Sequence, residues 1–173
     1  MSIQSDLKAS ALPNYIELFI LDMTPIGGTT LYFTPSTVAG NSAISFGGIA
    51  YVPLPITGSG WQTSIEGQAP QPSLKVSNVT KYIQSYLTSY KDLVGSRVTR
   101  YQTFDKYLDS GSSPDSTQVF NTCVYTIEQK MRQTKYEIEF KLSAIIDMPQ
   151  LKLPKQQVLR TEFPGAGLFR KNA

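Results

Sequence analysis

The stretch KYEIEFKLSA at positions 135–144 decides the fold class, because its apolar and polar residues alternate. One face carries Tyr136, Ile138, Phe140, Leu142 and Ala144, and the other carries Lys135, Glu137, Glu139 and Lys141. A period of two is typical of a β-strand with one buried face and one face in water. The stretch therefore predicts a half-buried strand, paired with a second strand at 119–128.

Further strands are predicted along most of the chain. Residues 15–22 (YIELFILD) are apolar on both faces, which indicates a buried central strand. Gly47 and Gly48 separate two short apolar runs and predict a two-residue hairpin. The other predicted strands lie at 31–33, 44–46, 49–54, 61–65, 74–79 and 97–108.

The clearest helical pattern is TKYIQSYLTSY at 80–90. Its apolar stripe comprises Ile83, Tyr86, Leu87 and Tyr90, which we expect to face the core. Thr80 or Asn78 is the predicted N-cap. A second, short amphipathic helix or arm is predicted at 1–12, where Ile3 and Leu7 are four residues apart.

These elements predict a mainly β, α+β fold: an antiparallel β-barrel or sandwich-like body with one or two short helices and an extended C-terminal arm. The β-rich body is expected at 13–147, after the N-terminal segment 1–12. From Met148 onward the periodicity is lost, and three prolines exclude a continuous helix. Residues 148–173 are therefore predicted to form an extended arm.

The charge of the chain is concentrated in this arm. Residues 1–147 carry a net charge of −1 and residues 148–173 a net charge of +4. A basic tail of this density favours docking onto an acidic neighbour, with a nucleic-acid arm or a solvated terminus as the alternatives. The candidate inter-subunit residues are Pro149, Leu151, Lys152, Pro154, Lys155, Arg160, Phe163, Phe169 and Arg170. Only 17% of all residues are charged, which favours a surface covered by other subunits.

Composition excludes several classes of chemistry. The chain has no His, so catalysis by Ser-His-Asp or Cys-His groups and His-ligated metals are excluded. The single cysteine, Cys123, cannot form an intramolecular disulfide, and its phase with Tyr125 and Ile127 predicts a buried, unreactive thiol. No phosphate-binding glycine motif is present, and no cofactor is expected. The longest apolar run is too short to cross a bilayer, and no secretion signal precedes it, so we expect synthesis and use in a cytoplasm.

Two weaker functional hypotheses remain. Glu137 and Glu139 point the same way on a strand, as the carboxylates of a glycosidase could, although flanking lysines favour a charge-balanced ladder. A cell-wall hydrolase with Glu137 as the acid is the weaker alternative. The other is a single-strand nucleic-acid-binding barrel of OB type, since basic and aromatic residues interleave around Arg97, Arg100, Tyr101, Lys106 and Tyr107.

Five segments, in this order and spacing, resemble the minor tail protein L family of lambda-like siphophages. They are GSGW (58–61), PSLKVSN (72–78), LVGSRV (93–98), FDKYLD (104–109) and YTIEQ (125–129). The resemblance extends from about residue 13 to about residue 160. It implies a non-enzymatic structural protein of the phage tail tip, located in the virion and assembled in the host cytoplasm. It further implies a trimer around the tail axis, between the distal tail ring and the central hub or receptor-binding protein, without membrane insertion of its own.

The sequence departs from this family in one respect. Many members continue into a Cys-rich C-terminal region that resembles an iron–sulfur site, whereas no cysteine follows Cys123 here. Since an ordinary cluster needs four thiolates, we expect no cluster. We also expect a short form that retains the N-terminal half of the longer members.

Overall fold

The computed structural model describes residue 3 and residues 13–36, 43–61, 70–120 and 122–144. The strands are β1 (Tyr15–Asp22), β2 (Thr30–Thr34), β3 (Ile44–Phe46), β4 (Ile49–Pro53), β5 (Ile56–Ser59), β6 (Ser73–Ser77), β7 (Arg97–Phe104), β8 (Cys123–Gln133) and β9 (Glu137–Ser143). Helix α1 (Tyr82–Ser89) is joined by short 3-10 turns at Thr24–Ile26, Lys91–Leu93 and Asp105–Tyr107.

Within these residues the nine strands form one open sheet in the order β3-β4-β2-β1-β7-β8-β9-β6-β5. Neighbouring strands are antiparallel except β2 and β4, which pair in parallel. The prediction of a mainly β, sandwich-like body with a short helix is confirmed.

Strand β1 separates two hydrophobic clusters, because its side chains alternate between the two faces of the sheet. Phe19 and Leu21 belong to the first cluster, here called the main core, which also contains Phe33, Leu74, Val76, Ile83, Leu87, Val98, Ile127, Ile138, Phe140 and Leu142. Ile16 and Leu18 belong to the second cluster, here called the hairpin core, with Ile44, Phe46, Tyr51 and Leu108. The predicted central strand is thus confirmed with its bounds.

The hairpin core is closed by β3 and β4, which are joined by Gly47 and Gly48. Both glycines have positive φ, 61° and 76°, as a hairpin turn with right-handed strand twist requires. The carboxylate of Asp109 accepts hydrogen bonds from the backbone N–H of Gly47 (2.9 Å) and of Gly48 (2.8 Å). The glycine pair predicts the hairpin from the sequence. The two hydrogen bonds to Asp109, here called the carboxylate clamp, are visible only in the folded chain.

Replacing Asp109 by alanine is expected to lower the free energy of unfolding by about 1–2 kcal/mol, because two charge-assisted hydrogen bonds are lost. Asp109→Asn keeps one acceptor oxygen and is expected to lose less. Urea denaturation of the three proteins checks the order. Equal midpoints for Asp109→Ala and the wild type would contradict the clamp.

The buried Tyr51 makes the stability of the hairpin core depend on alkaline pH. Burial raises the pKa of the Tyr51 phenol from 10.0 to about 12. In the unfolded chain this phenol ionises from about pH 10, so between pH 10 and 12 the unfolded state holds fewer protons than the native state. The contribution of the Tyr51 phenol to the free energy of unfolding is therefore present in full below about pH 10. It is lost as the pH rises from 10 toward 12.

Tyr51→Phe is expected to flatten the loss of stability between pH 10 and 12. Denaturant midpoints measured at pH 8, 10 and 11 for both proteins check this. As a control, Tyr136→Phe removes the phenol of an exposed tyrosine and shows whether the loss of any phenol has the same effect. A Tyr51→Phe slope as steep as that of the wild type would show that burial of this phenol is not responsible.

Helix α1 packs onto the main core as its sequence pattern predicts. Ile83 and Leu87 are buried, and Tyr86 and Tyr90 are partly buried against the same cluster. The predicted cap is wrong: Lys81 is the N-cap, with left-handed φ of 54° and no side-chain cap hydrogen bond. The helix begins only at Tyr82, and Asn78 and Thr80 lie in the turn before it, where the Lys81 backbone N–H donates to the Asn78 carbonyl at 3.1 Å.

Several strand boundaries differ from prediction. Strand β7 ends at Phe104, and the Asp105–Tyr107 turn replaces the rest of the predicted 97–108 strand. Strand β8 begins at Cys123 rather than 119 and continues to Gln133, because two register shifts let it stay paired with β9. The predicted 61–65 strand does not include Trp61, and its other residues lie outside the described residues.

Of the predicted N-terminal helix, only Ile3 is described. Its side chain is buried against Phe104 and Tyr107, and its backbone N–H donates to the Gln118 side chain at 3.0 Å. This contact ties the start of the chain to the end of β7.

Candidate interaction surfaces

The predicted inter-subunit arm lies outside the described residues. This applies to the 148–173 segment as a whole, including the nine candidate residues from Pro149 to Arg170. The described surfaces that could contact other molecules are therefore those of the β-rich body.

The apolar side chains with the highest exposed fractions lie where β6 ends and where β8 turns into β9. Val79 and Tyr136 are each 69% exposed. The backbone N–H of Asn78 donates to the carbonyl of Tyr136 at 2.8 Å, which brings the two segments together. Met131, on the same β8–β9 hairpin, is 56% exposed. Large exposed apolar side chains placed together are typical of interaction sites.

A polar cleft of about 480 Å³ lies beside these side chains, between the N-terminus of α1 and the β8–β9 turn. It is lined by Asn78, Lys81, Gln84, Gln133, Thr134 and Lys135, and is here called the tip cleft. Lys81 and Lys135 are exposed, and neither forms an ion pair with any described residue. The cleft lining is therefore cationic and contains no carboxylate.

A hydrogen-bond network holds the walls of the tip cleft. The Asn78 amide donates to the side chain of Gln84 (3.1 Å) and to the carbonyl of Thr134 (3.0 Å). Gln133 donates to the same Gln84 oxygen at 3.1 Å, and Lys130 donates to Gln133 at 2.7 Å. The network joins the helix to the hairpin and fixes the width of the cleft.

The turn itself is stabilised by Thr134. Its hydroxyl accepts from the backbone N–H of Glu137 (3.0 Å) and of Tyr136 (3.3 Å), and its own N–H donates to the Glu137 carbonyl at 2.8 Å. Local hydrogen bonds of this kind hold Lys135 and Tyr136 at the apex.

The carboxylates considered for catalysis form a charge ladder. Glu139 lies 3.7 Å from Lys75, and Glu137 lies 3.6 Å from Arg132. Lys141 instead pairs with Glu128 at 3.1 Å. Each carboxylate thus lies beside a cation, but the partners of Glu137 and Glu139 are Arg132 and Lys75 rather than the flanking Lys135 and Lys141.

The basic and aromatic residues of the nucleic-acid alternative are not brought onto one surface. Arg100 forms an ion pair with Glu17 and lies 4.9 Å from the ring centre of Trp61. Tyr107 is buried, and Tyr101 packs against the hairpin core on the opposite face of β7. No stacking platform is formed by these side chains.

The remaining sequence-based candidates are placed as follows. Cys123 packs against the main core but is half-buried rather than buried as predicted, and it is the first residue of β8. Among the described residues, no cluster of three or more His, Cys, Asp or Glu side chains could hold a metal ion. Within the same part of the chain, no helix is long and apolar enough to span a membrane.

Sequence reasoning missed the tip cleft as a site. Asn78 was predicted as a possible helix cap, and Lys135 as part of a solvent-facing strand. Tyr136 was assigned to the buried face of the predicted 135–144 strand, but β9 begins at Glu137 and Tyr136 is 69% exposed in the turn before it. The cleft depends on the pairing of β6 with β9, which joins residues as distant in the chain as Ser77 and Glu137.

The sequence comparisons with known proteins agree on one family, and a solved structure shares the fold. The family profile described as phage minor tail protein L matches residues 24–171. Tail tip protein L of Escherichia phage lambda is 28% identical over 95 residues, which cover 55% of this chain and 41% of the lambda protein. A chain of the virion of a native gene transfer agent particle shares the fold, with a TM-score of 0.58 and 14% identity. That match covers 91% of this chain and 48% of the other, so the chain spans less than half of either relative.

Proposed function

Because the chain belongs to the phage minor tail protein L family, we propose that it is a structural subunit of a phage tail tip. In this role it forms a ring, as a homotrimer around the tail axis, between the distal tail ring protein and the central hub or receptor-binding protein. It acts in the virion, after assembly in the host cytoplasm, and its role is non-enzymatic.

The observation that carries the proposal is the family match itself. It spans residues 24–171, which include strands β2 to β9 and most of the predicted arm. The lambda relative is named as a tail tip protein, which supports the same location for this chain.

The described surface is suited to an assembled subunit. The carboxylates of β8 and β9 are paired with cations, so they add little net charge to that face. Val79 and Tyr136 remain exposed next to residues that line the tip cleft, and Met131 is exposed on the same β8–β9 hairpin. Burying such side chains against a neighbour stabilises an interface by removing apolar area from water.

Residues 148–173 are proposed to reach across a neighbouring subunit. Their net charge of +4 and their three prolines support an extended basic segment. A segment of this kind can bury much area per residue, and the entropy lost on ordering is offset at the moment of docking.

Gold labelling of intact particles tests the proposed location. Particles carrying an epitope tag on this chain are labelled with antibody–gold conjugate and viewed by negative-stain electron microscopy. We expect gold at the end of the tail distal to the capsid. Label along the tube or at the capsid junction would contradict the proposal, and untagged particles give the background.

A further inference from the structure

We infer that the tip cleft docks an acidic, extended peptide segment of a neighbouring tail protein. This inference rests on the proposed function, since it assigns a partner surface to a subunit of the tail tip. Three features of the cleft define the partner: its charge, one buried acceptor and its apolar margin.

The charge of the cleft selects an acidic partner. Lys81 enters from the start of α1 and Lys135 from the β8–β9 turn, so two cations from separate elements line one opening. Neither is neutralised by a carboxylate of the described residues. The nearest carboxylate in sequence, Glu137, lies 3.6 Å from Arg132 on the hairpin. A carboxylate seated between the two lysines gains favourable interactions with both.

The wall of the cleft holds a buried acceptor without a described donor, which a partner's N–H can reach only if the wall shifts slightly on binding, because the atom is closed to water. Asn78 is only 4% exposed and lines the cleft, and its Oδ1 has no donor among the described residues. Its amide cannot be turned over, because the nitrogen already faces two acceptors, the oxygens of Gln84 and Thr134. A peptide backbone supplies an N–H donor next to a side-chain carboxylate, whereas a phosphodiester supplies acceptors only.

The apolar margin favours a peptide that carries an apolar residue beside its acidic ones. Val79 and Tyr136 stand exposed next to the cleft, and the Lys135 ammonium lies 6.0 Å from the ring centre of Tyr136. An aliphatic or aromatic side chain packed here would be removed from water together with these two residues.

The cleft is held in shape before any partner arrives. The network from Lys130 through Gln133 and Gln84 to Asn78 joins the helix to the hairpin. Lys130 is also held by an ion pair with Asp92. A prearranged site loses little freedom on binding, which favours docking of a flexible segment.

Zero-length crosslinking in purified particles tests the inference. A carbodiimide joins lysine amines only to carboxylates in direct contact. Lys81 and Lys135 are expected to crosslink to Asp or Glu of a different tail protein. Lys91, exposed at the other end of α1, is the matched control and is expected to remain unlinked. Accessibility is measured separately with a reagent that acetylates free amines. If Lys81, Lys135 and Lys91 react equally in intact particles, the inference is overturned.

Charge reversal separates this inference from the proposed function. Lys81→Glu with Lys135→Glu is expected to reduce incorporation of the chain into particles at least tenfold, whereas Lys91→Glu leaves it unchanged. Circular dichroism of the purified variants confirms folding. If the wild-type chain is present in particles and the double variant is incorporated equally, the inference fails and the proposed function stands. Absence of the wild-type chain from particles contradicts both.

A binding measurement on the full chain distinguishes the chemical class of partner. The probes are a fluorescein-labelled Glu-Glu-Leu-Glu-Glu peptide and a labelled deoxythymidine oligonucleotide. We expect the peptide to bind and the double variant to bind it at least tenfold more weakly. Equal peptide binding by the two proteins, or stronger oligonucleotide binding that depends on the same lysines, would overturn the inference.

Discussion

Phe19→Ala is expected to lower the free energy of unfolding by roughly 3–5 kcal/mol, close to the total stability of many small domains. Phe19 is 2% exposed and lies at the centre of β1, against the main core. Its ring centre is 6.3 Å from that of Trp61, so the fluorescence of the single tryptophan reports both the packing change and unfolding. Urea denaturation followed by Trp61 emission measures the effect.

Leu18→Ala is the matched test of the opposite face of β1. Leu18 is fully buried in the hairpin core, so its loss is expected to cost about 2–5 kcal/mol. Because it faces away from Trp61, the native emission of the tryptophan should not change. Val124→Ala, at an exposed site on β8, should cost less than about 1 kcal/mol. A small cost for Leu18→Ala would show that β1 does not separate two cores.

Deleting residues 150–173 is expected to abolish assembly while the β-rich body stays folded. The strands and the helix that the structure describes all lie before residue 145. The circular dichroism spectrum and the urea midpoint of the truncated chain should therefore match those of the full chain. Particle yield, measured by plaque formation and electron microscopy, should fall below detection.

Neutralising the basic residues of the segment separates charge from length. Substituting Lys152, Lys155, Arg160, Arg170 and Lys171 by glutamine keeps the length and the prolines. If charge drives docking, this variant should also assemble poorly, and the effect should resemble that of raised salt. Normal tails from the truncated chain would contradict the proposed role of the arm.

The sequence predicts best where one physical cause dominates. Strand β1 was located with its bounds because apolar residues occupy both of its faces, and the Gly47–Gly48 turn because only glycine adopts two successive positive φ angles easily. The stripe of α1 was identified because Ile83 and Leu87 recur at helical spacing. In each case the local pattern and the tertiary packing agree.

Strand β5 was missed because its residues carry almost no pattern. Thr57, Gly58 and Ser59 are small, and only Ile56 is buried. The reason for Gly58 is visible only in the folded chain: a Cβ at this position would lie 2.5 Å from Nε1 of Trp61. Trp61 packs over the strand rather than continuing it, which explains why the prediction placed a strand at the tryptophan instead.

The turn after α1 is a second feature that local pattern cannot predict. Lys91, Asp92 and Leu93 all have positive φ, between 46° and 61°. Only the aspartate belongs to a residue type enriched in that conformation. Burial of Leu93 in the main core and the ion pair of Asp92 with Lys130 hold this conformation. The tip cleft likewise depends on long-range pairing, so its two lysines were not brought together by sequence reasoning.

Quantitative mass spectrometry of gradient-purified particles tests whether this chain is a subunit of the tail tip. The copy number of this chain is scaled to that of the major tail-tube subunit in the same particles. A subunit of a tail-tip ring should be present at a low, fixed number of a few copies per particle, in every fraction that contains intact tails. Absence of the chain from these particles, or a copy number that varies with the amount of host protein, would contradict the account.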